Sequence, residues 1–134
     1  MNRLIARLLV LFLLSTALAC TKPPATPLIT ILAEKTLVVP VGVENAPEVC
    51  FNVTSTGVLK GFVDVISGQK ISFYLYPEPS EPGWTVAKEE SVLRSLFEVP
   101  LDTGSYKLIV VAYWSDQDDT NVERIVNVYL EFWS

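Results

Sequence analysis

The 134-residue chain contains no histidine, one methionine, two cysteines and only ten basic residues against 15 acidic ones. Each shortage excludes something. Without histidine there is no side chain whose ordinary pKa suits general base work near neutral pH, and the commonest transition-metal ligand is missing. A Ser–His–Asp triad, a Cys–His nucleophile and a zinc site of Cys and His ligands are excluded by inventory. Catalysis would have to run on carboxylates or on Ser–Lys chemistry, and no motif for either is present. The chain is therefore expected not to be an enzyme and to carry no cofactor. The net charge of −5 repels nucleic-acid phosphates, so no nucleic-acid partner is expected. Apolar residues at helical spacing are also lacking, and so is any uninterrupted apolar run of membrane-spanning length.

What is present begins at the amino end. Met1 to Arg7 carries two arginines and no acid, Leu8 to Leu14 is continuous hydrocarbon, and Ser15 to Ala19 is small and weakly polar. A cationic start, a short apolar middle and an Ala17-Leu18-Ala19 ending form the pattern of an export signal. The arginines fix the sense of insertion by staying on the cytoplasmic side. Leu4 to Ala19 counts 16 residues, short of the roughly 18–20 a spanning helix needs, so a retained anchor helix is the alternative rather than the expectation. Residues 1–19 thus read as a signal peptide, residues 20–27 as an attachment cysteine with a tether, and residues 28–134 as one domain. Cleavage ahead of Cys20 would leave eight basic against 15 acidic residues, a net charge of −7.

Ala17-Leu18-Ala19-Cys20 resembles the lipobox of prokaryotic envelope lipoproteins. The resemblance implies a diacylglyceryl group on the Cys20 sulfur and cleavage just before it. Thr21-Lys22-Pro23-Pro24-Ala25-Thr26-Pro27 then has three prolines in seven residues and no large apolar side chain, the composition of an extended spacer. A spacer directly behind an acylated cysteine would hold a folded domain off a bilayer, and two or more acyl chains would keep it there. The alternative is an ordinary signal-peptidase cut that leaves Cys20 a thiol, free to pair with Cys50 in an oxidising compartment.

Beyond Pro27 the apolar residues recur with period two, the strand signature. Leu28–Leu32 and Thr36–Val39 read as one or two strands. Val49, Phe51 and Val53 face one way, as do Ile71, Phe73 and Leu75. Leu59–Ile66 is a further strand, with Gly57, Gly61 and Gly68 marking turns or bulges nearby. The Pro77–Gly83 loop stops any ladder. In Ser91–Val99 the residues Val92, Leu93, Leu96 and Phe97 would also fit a helical face, but the neighbouring strands and Pro100 favour a strand. Tyr106, Leu108, Val110, Ala112 and Trp114 share a face, as do Val122, Val126, Val128, Leu130 and Phe132. Seven to eight short strands in one domain predict an all-β antiparallel sandwich.

Asp102-Thr103-Gly104-Ser105-Tyr106 resembles the tyrosine corner of immunoglobulin-like domains, in which a phenol hydroxyl bonds back to the main chain at the entry to a late strand. Leu108 stands where those domains place their second disulfide cysteine, and Cys50 is expected to pack as a small buried hydrophobe. Cys50-Phe51, Phe97-Glu98-Val99-Pro100, Gly104-Ser105-Tyr106 and a long final hairpin are also similar to a GOLD-type domain. That resemblance implies a β-sandwich used for protein and lipid-associated interactions in secretory and envelope settings.

Two groups of residues are candidates for binding. Tyr74, Tyr76, Trp84, Tyr113 and Trp114 would suit contacts to a protein partner or a glycan if they gathered on an open sheet face, the alternative being that they cover the sheets as packing. Asp116, Asp118 and Asp119 offer hard oxygen ligands of the type calcium takes, without the spacing of an EF-hand loop; a solvated hairpin tip accounts for them equally. The expectation is a lipid-anchored, extracytoplasmic, non-enzymatic sandwich making protein contacts at the cell envelope, an accessory subunit of an envelope or membrane complex being one such role. A carbohydrate- or small-ligand-binding module is the rival.

Overall fold

The computed structural model describes residues 26–79, 84–113 and 122–134. Eight strands follow one another: β1 (Ile29–Val39), β2 (Glu48–Val53), β3 (Gly57–Ser67), β4 (Ile71–Glu78), β5 (Ala87–Val92), β6 (Arg94–Leu101), β7 (Gly104–Val111) and β8 (Arg124–Trp133). They build two four-stranded antiparallel sheets, ordered β1-β8-β3-β6 and β2-β7-β4-β5. Every connection except β4–β5 passes from one sheet to the other, so the core is laced by non-local pairing. Among the described residues no helix is long and apolar enough to cross a membrane.

The sandwich follows from the period-two pattern. Val49, Phe51 and Val53 are buried, as are Ile71, Phe73 and Leu75, and Tyr106, Leu108, Val110 and Ala112. From the facing sheet Leu59, Val63, Val126, Val128, Leu130 and Phe132 join them in one core. Phe73 and Phe97 meet across the gap between the sheets with ring centroids 5.0 Å apart. Gly61 makes room for that contact. A Cβ built there would lie 2.1 Å from Phe97 Cζ, so the Phe97 ring occupies the space a side chain would take.

The two early apolar runs, read as one or two strands, form one, β1, with its register shifted between Ile31 and Ala33. Several other expectations are corrected. Ser91–Val99 is not one strand. The chain leaves β5 after Val92 and joins β3 as β6 from Arg94, while Ser91, whose φ of 54° lies in the left-handed region, sits within β5 where its register against β4 shifts. No glycine or proline marks the break at Leu93, which hides it from the sequence pattern. β7 and β8 pair with different strands in different sheets, so the long final hairpin does not exist. Val122 is exposed, and Arg124, only 1% exposed, holds the inward position at the start of β8. Its Nη1 donates to the Val122 carbonyl at 3.0 Å.

Cys50 is exposed rather than buried. It sits between the inward-facing Val49 and Phe51 and lies opposite Lys107 on the outer face of the second sheet. The tyrosine corner is present: Tyr106 Oη donates to the Asp102 carbonyl at 2.8 Å, and its ring stacks on Phe51 at 5.8 Å. Tyr106→Phe keeps the stack and removes the bond. Because Asp102 is exposed, water can replace the lost donor, and the expected loss is about 1 kcal/mol. Urea denaturation checks it; an unchanged midpoint would show the corner to be ornamental.

Candidate functional site

Each sheet presents an outer face, and register decides which side chains align there. On the second sheet the structure brings together three of the five predicted aromatic residues. Tyr74 and Tyr76 stack at 6.2 Å, and the Tyr74 and Tyr113 hydroxyls share a hydrogen bond of 3.0 Å. Tyr74 Oη also approaches Glu90 Oε1 at 3.4 Å. Trp84 is elsewhere, beside Pro77, Pro100 and Tyr106 at one end of the sandwich. Trp114, Asp116, Asp118, Asp119 and Cys20 lie outside the described residues. Among the described residues no group of three or more Cys, Asp or Glu side chains is placed to hold a metal ion.

The tyrosine cluster is half-buried, and burial pushes the Tyr74 phenol above the ordinary tyrosine range, with the Tyr113 hydrogen bond acting the same way. The fold thus favours the neutral phenol. Its contribution to stability is intact below about pH 10, the unfolded value, and is lost as pH rises through the higher native value. An ultraviolet titration is expected to show a late phenolate phase that shrinks in Tyr74→Phe. Simultaneous ionisation of all phenols would contradict this.

The outer face of the first sheet was not singled out from sequence, and it is the more ordered of the two. Its residues align in rows across all four strands. Pro100, Val58, Trp133 and Ile29 form one row, and Glu98, Lys60, Glu131 and Ile31 the next. Leu96, Phe62, Tyr129 and Glu34 form a third, and Arg94, Asp64, Asn127 and Thr36 a fourth. Apolar and aromatic rows therefore alternate with charged ones, at the spacing of two residues along a strand, about 7 Å.

Polar groups fix this face. Tyr129 Oη donates to Glu131 Oε2 at 3.0 Å, and Trp133 Nε1 donates to Glu131 Oε1 at 2.9 Å. One carboxylate thus orients two aromatic rings, and the bond to Glu131 raises the Tyr129 phenol above its ordinary range. The Lys60 ammonium lies 3.7 Å from the centre of the Trp133 ring and 3.7 Å from Glu98. Arg94 pairs with Asp64 at 3.1 Å and stands over Phe62. Between these groups a cleft of about 420 Å³ runs along Phe62, Leu96 and Tyr129, with Lys60, Glu98 and Glu131 on its rim. A second hollow, about 440 Å³, continues past Phe62 and Tyr129 toward Glu34 and Thr36. Leu96 is 78% exposed in the middle of β6, a poor place for leucine in water. Such a surface can anchor an apolar group and accept hydrogen bonds around it.

Fold and faces together define an antiparallel two-sheet sandwich domain. No protein-family model matches the chain, and no curated protein matches it in sequence. Among solved structures the chain is similar to the pre-peptidase C-terminal domain of a collagenase from Bacillus anthracis, with a TM-score of 0.59 and 16% identity over 82% of this chain and 98% of that one. It is also similar to PliG of Aeromonas hydrophila, a periplasmic inhibitor of g-type lysozyme, with a TM-score of 0.49 and 8% identity over 85% of this chain and 93% of that one. At 16% identity the likeness to the collagenase domain is one of fold alone.

Proposed function

We propose that this chain is an extracytoplasmic, non-enzymatic interaction module, held to a membrane by lipid on Cys20, whose first sheet receives a protein partner. The observation that carries the reading is the row Leu96–Phe62–Tyr129: an exposed leucine and two rings beside a carboxylate already held by two donors. Ordering such side chains costs little on binding, because their geometry is set beforehand. The export pattern before Cys20 and the absence of histidine from the chain support the rest of the reading.

Crosslinking in intact membranes tests it. The wild-type chain is expected to capture one defined partner, Leu96→Glu to lose it, and Tyr76→Ala, on the opposite face, to retain it. Capture unaffected by Leu96→Glu would remove this face from the account. A glycan-binding reading is favoured by one feature, the pair of rings oriented around Glu131, since sugars stack on rings and donate to carboxylates. Tryptophan fluorescence that stays constant across a glycan panel would dispose of it.

A further inference from the structure

The end of the sandwich where the tether arrives presents exposed apolar groups, with the exposed Glu78 and Asp102 beside them, and the length of that tether bears on what lies against it. Leu28 is pinned to the end of β8 by two main-chain bonds: its N–H donates to the Ser134 carbonyl at 3.1 Å, and Ser134 N–H donates back at 3.0 Å. The tether therefore joins the domain beside Trp133. From there the row Ile29–Trp133–Val58–Pro100 crosses the first sheet along its terminal edge. A hollow of about 390 Å³ continues it from Pro100 past Tyr106 to Pro77 and Trp84. Leu28 is 68% exposed and Trp84 66%. Two of the chain's three tryptophans thus stand at this one end.

Seven residues lie between Cys20 and Leu28, so this end is within about 25 Å of an acylated sulfur when the spacer takes the extended polyproline form. A spacer that lies along the bilayer surface, instead of standing off it as its composition leads one to expect, brings this end into contact. We infer that this end of the sandwich seats on the bilayer surface, with Leu28, Ile29, Trp84 and Trp133 in the headgroup layer. The layering fits. One pleat above the apolar row, about 7 Å away, stands the charged row Glu98–Lys60–Glu131, in which Lys60 pairs with Glu98. Interfacial helices bury their apolar side by roughly 5–10 Å, and a sheet end buried to a like depth would leave this mixed-charge row among the polar headgroups. Tryptophan, apolar in body and polar at one edge, suits that boundary. The acidic domain directs the contact to zwitterionic rather than anionic lipid. This seat rests on the anchoring reading above and adds an orientation to it: the Leu96–Phe62–Tyr129 row is held clear of the membrane, open to a partner.

The test uses the full-length protein purified from membranes, its mass recorded, and reconstituted into phosphatidylcholine vesicles with brominated acyl chains. In the Trp114→Phe variant, Trp84 and Trp133 remain as reporters. Their fluorescence is expected to fall at least twofold relative to unbrominated vesicles. In Trp84→Phe/Trp133→Phe the fall is expected to vanish while circular dichroism shows the strands intact. An acylated protein without quenching overturns the seat and leaves the anchor standing, and points to the tether or a protein partner as what covers this end. Quenching that survives in the double variant also overturns it. A chain whose mass shows no acyl group removes anchor and seat together.

Discussion

Phe73→Ala is expected to lower the unfolding free energy by about 3–5 kcal/mol, the usual cost of deleting a buried aromatic ring. Phe73 is fully buried, lies opposite Val110 on β7, and is the ring through which the second sheet meets Phe97 of the first. Its removal opens a cavity between the sheets, where two ladders of hydrogen bonds resist collapse. Phe97 loses its partner and cannot drop further toward β3, because it already rests on Gly61. Against a total stability of roughly 5–15 kcal/mol for a domain, the variant stands near the threshold of folding at all. Urea denaturation of Phe73→Leu, which keeps most of the volume, supplies the graded comparison. A loss below about 1 kcal/mol for Phe73→Ala would mean that the two sheets do not depend on this contact.

The second large effect concerns Cys20. Cys20→Ser is expected to move the protein from the membrane pellet to the soluble fraction. Each buried methylene of an acyl chain contributes about 0.8 kcal/mol, and two or more chains together give stable attachment where one does not. Losing them should change partitioning by orders of magnitude. The headgroup contact of Leu28, Ile29, Trp84 and Trp133 is too small to hold an acidic domain unaided. Retention of Cys20→Ser in the pellet, with residues 1–19 still attached, would assign the anchoring to the apolar segment instead. Fractionation with a mass measurement on each fraction separates these results.

Much of the fold was legible because half-buried strands write their two faces in alternation. Val49, Phe51 and Val53, the Ile71–Phe73–Leu75 set and the Tyr106–Ala112 set all point inward as their spacing requires. The same alternation places Cys50 outward, between Val49 and Phe51. Treating cysteine as a buried hydrophobe by type overrode a parity that was already decisive. Other features were not available to periodicity. The crossing at Leu93, between β5 and β6, moves the chain from one sheet to the other with no glycine or proline to mark it. Arg124 breaks the apolar rule at the start of β8, where a charged side chain finds a main-chain acceptor within two residues.

The candidate faces were legible only in part, for a related reason. Period two says that Phe62, Leu96, Tyr129 and Trp133 point away from the core. It does not say that β6, β3 and β8 are neighbours, and only that order, set by contacts distant in sequence, aligns these residues in rows. Tyr74, Tyr76 and Tyr113 were found together because two share a strand and the third sits at the end of the adjoining one. Trp84 was grouped with them by residue type, and the fold places it at the tether end instead.

The account turns on the attachment of an acidic, all-β body to a bilayer through one sulfur atom. Intact mass of the protein extracted from membranes tests that most directly. The predicted result is a chain beginning at Cys20 and heavier than its amino acids by a diacylglyceryl group, with or without a further acyl chain. A chain of bare amino-acid mass, whether cut before Cys20 or uncleaved from Met1, would contradict it.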